Sequence, residues 1–283
     1  MKLMTLNTHS LVEPDCEEKL KLFAEVIKEE KPDILALQEV SQTAGVVSLS
    51  EIDPPNFTRC EGFHVAVRSD NYAERLARLL ENSGEKYYWS WVSAKLGYEK
   101  YDEGIAIFSR KPICEAKDCL ISESGDYSNW KTRRALGIRT EGSSDWFYTV
   151  HMGWWKDQEE PFDRQWKRLE EFVRKNSGGG NCWLLGDFNS QDTVRDEGYD
   201  LVCASGWNDT YILAEKKDSG FTVEEEIDGW RDGDPGCDES QRRKRLDYIF
   251  CSEKKNILTS DVICNGKDHP VVSDHYGVRI TTA

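Results

Sequence analysis

The chain has 283 residues, 38% hydrophobic and 11% aromatic, without low-complexity tracts, which excludes a disordered or fibrous protein. Its 37 lysines and arginines against 52 aspartates and glutamates leave a net charge of −15. That balance disfavours holding long nucleic acid by phosphate neutralisation alone, although a bound divalent metal supplies local positive charge in an enzyme. No apolar run approaches the roughly 18 residues needed to span a bilayer. The first residues are too soon interrupted for a secretory signal, so the mature chain is expected to start at Met1. Nine scattered cysteines, without a CxxC pair or zinc spacing, fit reduced thiols in a cytosol.

In chain order, the pattern first predicts a strand at 2–8 and a helix at 14–30, with Cys16, Leu20, Phe23 and Ile27 on one stripe. A strand at 34–38 follows, then a helix after Ser69-Asp70 with Tyr72, Leu76, Leu79 and Leu80 on one face, stopped by Asn82-Ser83-Gly84. Strands are predicted at 87–92, 104–108, 113–121, 135–140 and 146–151. A third helix opens near Pro161, carries Phe162, Trp166, Leu169 and Val173, and breaks at 176–180. Strands at 182–186, 245–251 and 257–264 complete the set. Ten strands and three or four helices imply a four-layer α/β sandwich, two mixed sheets packed face to face with helices outside. No linker or repeat appears, so residues 1–283 are expected to form a single domain. The irregular segments 41–68 and 218–241 read as functional loops.

Several predicted strands end in a polar group that apolar packing does not explain: Asn7, Gln38-Glu39, His151, Asp187 and Asn189, Asp247, and Asp274-His275. Such groups stand at the rim of a sheet, where ligands of α/β proteins bind. The oxygen-rich set suits a hard cation, Mg²⁺ or alternatively Mn²⁺, better than zinc, since no thiolate joins it. Such a cation beside acids and imidazoles is apparatus for phosphoester cleavage.

The ordered set Leu6-Asn7, Gln38-Glu39, His151, Gly186-Asp187-Phe188-Asn189, Leu246-Asp247-Tyr248 and Ser273-Asp274-His275 resembles the endonuclease/exonuclease/phosphatase superfamily over nearly the whole chain. The resemblance implies that Asn7 and Glu39, with Asp274, lie at the metal. It makes Asp187 the residue that orients or deprotonates the attacking water, Asn189 a partner of the scissile phosphate, and His151 a donor to a phosphate oxygen. It also places His275 on the phosphate, held by Asp247; either Asp187 or His275 is the general base. His9 stands where the abasic-site endonuclease branch has an aspartate, and His151 where that branch has a tyrosine. The residues around the motifs look closest to a bacterial cytosolic branch that includes maltose 6'-phosphate phosphatase.

Trp154 and Trp155, shortly after His151, read as pocket wall suited to the faces of sugar rings or of bases, with Trp230 as a second wall; His9 is either a substrate contact or hydrogen-bonded within its loop. Trp91 and Trp166 read as core, and His64 and His269 as loop histidines. The basic run Arg242-Arg243-Lys244-Arg245 is a solvated face or a phosphate contact, and Lys131, Arg133 and Arg134 carry the same two readings. The expected protein is a Mg²⁺-dependent phosphomonoesterase acting on a small phosphorylated metabolite, a sugar phosphate first. A nuclease or other phosphodiesterase is the alternative.

Overall fold

The computed structural model describes residues 1–46, 53–62, 65–224 and 243–283. One sheet contains β1 (Lys2–Asn7), β2 (Ile34–Thr43), β3 (Tyr88–Gly97), β4 (Tyr101–Ser109), β10 (Lys216–Lys217), β12 (Ile257–Ile263) and β13 (Gly277–Thr282), in the order β10-β12-β13-β1-β2-β4-β3. The other contains β5 (Ile113–Leu120), β6 (Arg134–Thr140), β7 (Trp146–His151), β8 (Cys182–Asp187), β9 (Asn208–Asp209) and β11 (Asp247–Cys251), in the order β5-β6-β7-β8-β11-β9. Both sheets mix parallel and antiparallel pairs; β1 runs parallel to β2, and β7 to β8.

Alternation along the strands decides which residues face inward. Leu3, Ala36, Ile105 and Ile107 of the first sheet meet Leu136, Ile138, Trp183, Leu185 and Ile249 of the second in one apolar layer. The opposite face of the first sheet, with Met4, Leu35 and Leu37, is covered by α1 (Cys16–Glu30) and α2 (Tyr72–Asn82). The outer face of the second, with Tyr148, Leu184 and Phe250, is covered by α3 (Phe162–Asn176) and α4 (Gly198–Ala204). The result is the expected four-layer α/β sandwich, with helix layers outside two packed sheets.

The helices begin and end where local chemistry directs. Asn71 caps α2, its Oδ1 accepting from Glu74 N at 3.1 Å. Pro161 precedes α3, which ends before the glycines at 178–180. The first helix starts at Cys16, later than Pro14, because Asp15 is in a left-handed conformation. A fifth short helix, α5 (Thr210–Leu213), is capped by Asp209.

Several boundaries differ from the sequence expectation. The second strand continues past Gln38 to Thr43 through a bulge between Leu37 and Val40. The β3–β4 hairpin extends to Gly97 and Tyr101, carrying polar residues that hide it from an apolar-run reading. The last strand, β13, was not expected; it inserts between β12 and β1, with Val278 and Ile280 buried.

Strand register sets the site. Pairing of β7 with β8 puts His151 beside Asp187, and antiparallel pairing of β8 with β11 puts Asp187 beside Asp247. Gly186 permits the first: its φ is 150°, and a Cβ there would stand 2.0 Å from Val150 O. Beneath the site Gln38 links the two sheets, donating from Nε2 to Thr149 Oγ1 at 2.9 Å and accepting from Thr5 Oγ1 at 3.2 Å.

Candidate active site

The polar strand ends converge on one cavity of about 360 Å³. Glu39, His151, Asp187, Asn189, Asp274 and His275 line it, together with His9. Asn7 stands under the cluster, its Nδ2 donating to Glu39 Oε1 at 2.9 Å and to Asp187 Oδ2 at 3.1 Å. His151 Nε2 is 3.7 Å from Asp187 Oδ2 and 4.0 Å from Glu39 Oε1. His275 Nε2 is 3.9 Å from the same Asp187 oxygen, and its Nδ1 lies 2.9 Å from Asp247 Oδ2. One ligand atom each from Asp187, Asp247 and His275 falls within 4.8 Å of the others, all three residues being buried.

The backbone is bent where these groups are presented. Glu39 sits on the bulge of β2 with φ 53°, Asn189 follows β8 with φ 46°, and His9 follows β1 with φ 45°. Left-handed conformations cost a non-glycine residue about 1–3 kcal/mol and persist only where the surroundings enforce them. Here Asp187 Oδ1 accepts from Asn189 N at 2.8 Å, and Asn189 Nδ2 donates to Met152 O at 2.9 Å, which holds the amide at the cavity wall.

Burial sorts the titratable groups into distinct states. Burial, reinforced by the Asp247 carboxylate, raises the Asp187 carboxyl from 3.8 to about 7. Burial, with Glu103 and Asp274 close by, also raises Glu39. His151 is pushed well below its ordinary value by burial and by the cations Arg133 and Lys95, so its imidazole is neutral. For His275 burial opposes the charge, but Asp247 and Asp187 outweigh it, and the ring is held as imidazolium. His9 rises to about 9 because Glu13, Asp274 and Glu39 together overcome its burial.

The aromatic and basic residues divide. Trp154 lines the cavity with its ring 5.5 Å from Trp130, an exposed tryptophan at the cavity mouth. Trp155, expected as a wall, instead packs 6.2 Å from Phe162 on the apolar cluster beneath α3. Trp91 and Trp166 are core residues. Trp230, His64, Cys237 and Arg242 lie outside the described residues, as do parts of the two irregular segments. Arg245 is neither a solvated face nor a phosphate contact: it is buried, bonded to Asp209 at 2.8 Å and Asp192 at 2.9 Å. Lys131 pairs with Asp157 and Arg134 with Asp118, while Arg133 alone of that trio lines the cavity. His269 lies in the loop between β12 and β13, where its Nε2 meets Glu30 Oε1 at 3.0 Å.

Sequence reasoning missed Lys95, Tyr98, Glu103 and Trp130, all on the cavity wall. The first and third form a buried ion pair at 2.9 Å between the hairpin strands. Their signal was a charged residue at each end of an apolar run, which strand patterning treats as solvent-facing.

The model of the Endonuclease/Exonuclease/phosphatase family matches residues 4–275. No curated protein matches the chain. Among solved structures, an endonuclease/exonuclease/phosphatase family protein from Leptotrichia buccalis superposes with a TM-score of 0.85 at 29% identity, covering 100% of this chain and 99% of that one. A mannosyl-6-phosphatase from Bacteroides thetaiotaomicron gives 0.65 at 16% identity, again over 100% and 99%. A 3' phosphatase from Neisseria, bound to a product DNA hairpin, gives 0.63 at 17% identity over the same shares. The family match over almost the entire length places this chain in the Endonuclease/Exonuclease/phosphatase family and makes it a metal-dependent phosphohydrolase.

Proposed function

We propose that the protein is a Mg²⁺-dependent phosphomonoesterase of small sugar phosphates, of the maltose 6'-phosphate type. The observation that carries this reading is the cavity itself. At about 360 Å³, with the polar cluster on its floor and Trp130 and Trp154 on its wall, it has the size and lining of a small-ligand site. Indole faces pack well on the apolar faces of sugar rings. The net charge of −15 offers no general attraction for long nucleic acid.

The donor chemistry fits a hard divalent cation. Burial raises the Glu39 carboxyl, Glu103 and Asp274 raise it further, and the Asn7 amide donates to its Oε1. Carboxylates gathered in this way are relieved by a cation with oxygen preference. Asn7, Glu39 and Asp274 would hold it, and when bound it neutralises charge on the phosphate.

The remaining chemistry belongs to the chain's own side chains. Asp187 is the better supported general base, because its buried carboxyl titrates near neutrality. The alternative, His275, is held protonated by Asp247 and serves instead as a charged donor to a phosphate oxygen. His151, neutral, offers one ring N–H to a phosphate or leaving oxygen, and Asn189 lies on the same wall. His9, charged by its acidic neighbours, supports contact with the anionic substrate at the rim.

The test is phosphate release from a panel of sugar phosphates, inositol phosphates and nucleotides, with Mg²⁺ and with EDTA. Metal-dependent release concentrated on one sugar phosphate is expected. Silence on the panel with cleavage of an oligonucleotide would transfer the same residues to a phosphodiesterase.

A further inference from the structure

Among the described residues two arginines are almost fully buried, and only one of them is held in ion pairs. Arg245, 5% exposed, is bonded to Asp209 and Asp192 and lies over the ring of Tyr248 at 4.7 Å. Arg133, 4% exposed, has no carboxylate ion pair among the described residues. Its Nη1 donates to main-chain carbonyls, Trp130 O at 2.8 Å and Thr132 O at 3.3 Å, and its Nε is buried without a partner. The guanidinium carbon stands 6.0 Å from the Trp154 ring centroid, on the wall of the cavity. The neighbouring cation, Lys95, is already paired with Glu103.

A buried guanidinium cannot shed its proton, so without a carboxylate in direct contact its charge is only partly compensated in a low-dielectric wall. Folds keep such a group where a ligand supplies the anion. Arg133 is near enough to the catalytic floor to depress His151, and it feels Glu103, Glu39, Asp187 and Asp157 without a direct ion pair to any of them. The anion that completes it therefore sits over that floor, where the reacting phosphate belongs. A phosphomonoester brings two negative charges and three terminal oxygens, whereas a diester brings one charge and two such oxygens. A planar fork of N–H donors gains most from the former.

We propose that Arg133 binds the terminal oxygens of the substrate phosphate and makes the site selective for phosphomonoester dianions over diesters. This inference rests on the phosphomonoesterase reading above and assigns its selectivity to one side chain. Arg133 holds the phosphate from the wall, beside the Trp154 ring, while the strand-end groups act from the floor.

The experiment compares wild type, R133K and R133Q on p-nitrophenyl phosphate and bis(p-nitrophenyl) phosphate in Mg²⁺, with inhibition by inorganic phosphate as a second readout. Loss of a positioned charged donor lowers the rate by about 10²–10³-fold. R133Q is expected to lose that much kcat/KM on the monoester, less than about tenfold on the diester, and to bind inorganic phosphate at least about tenfold more weakly. R133K, which keeps the charge and loses the fork, is expected to recover part of each, and thermal melting checks the fold. Equal losses on both substrates with unchanged phosphate inhibition would overturn the proposal and reduce Arg133 to a structural residue. If R133Q does not fold, R133K carries the same comparison at about tenfold smaller effect. A wild-type enzyme that prefers the diester would sink the phosphomonoesterase reading and the selectivity with it. Weakened phosphate inhibition in R133Q would then still support the anion contact.

Discussion

Replacing Asp187 by asparagine separates catalysis from stability, and the two should move in opposite directions. In the fold this carboxyl titrates at about 7, against 3.8 for an open chain, because burial and Asp247 disfavour its charge. Ionised in the native state, it therefore costs roughly 4 kcal/mol. The sign follows from proton counting. The native state holds its proton more tightly than the unfolded one, so the cost is absent below the unfolded value, grows as pH rises between the two, and is complete above about 7. An amide removes that cost, but its NH₂ faces the Asn7 amide that now donates to Asp187 Oδ2, which returns about 1–3 kcal/mol. The net expectation for D187N, in EDTA at about pH 8, is a gain of about 1–3 kcal/mol and a melting temperature higher by a few degrees. At about pH 4 the gain should vanish or reverse. Turnover with Mg²⁺ should fall by about 10²–10⁴-fold as the general base is lost. Chemical denaturation at both pH values and phosphate release are the assays. Equal stability changes at the two pH values, or turnover within about tenfold of wild type, would refute the assignment.

Three further changes probe separate parts of the account. Glu39→Gln should weaken Mg²⁺ binding by at least about tenfold, or 1.4 kcal/mol, in titration calorimetry while the fold persists. Trp154→Ala should raise KM for a sugar phosphate by about tenfold with kcat changed only a few-fold; an unchanged KM would remove the indole from the substrate wall. Gly186→Ala should destabilise the protein by about 1–3 kcal/mol in denaturant unfolding and depress activity, because its Cβ would collide with Val150 O and push β8 off β7.

The parts of this molecule legible in the sequence are those where one residue type has one use. Leu20, Phe23 and Ile27 recur at helical spacing and are all buried, so α1 could be read directly. Strand ends such as Val150-His151 and Leu185-Gly186-Asp187 broke an apolar run with a polar side chain, and their register brought those side chains together. What was hidden is long-range. The pairing of Asp247 with His275 spans 28 positions, so no spacing shows it and only the family resemblance implied it. Lys95 and Glu103 looked like solvated charges until the hairpin buried them against each other. The basic run ending at Arg245 read as a solvated face or a phosphate contact, yet Arg245 is a buried ion-pair centre, because Asp192 reaches it from the turn after β8 and Asp209 from β9. Trp154 and Trp155 are adjacent, and only the path of the chain into α3 sends one to the cavity and packs the other, half-buried, against Phe162.

The most direct test of the central claim is kcat/KM for a disaccharide 6-phosphate and for an oligonucleotide, measured in one Mg²⁺ buffer with an EDTA control. The account predicts metal-dependent release of inorganic phosphate from the sugar phosphate at a kcat/KM far above that for the oligonucleotide, lost in D187N. Comparable or faster cleavage of the oligonucleotide, with no phosphate released from the sugar, would contradict it.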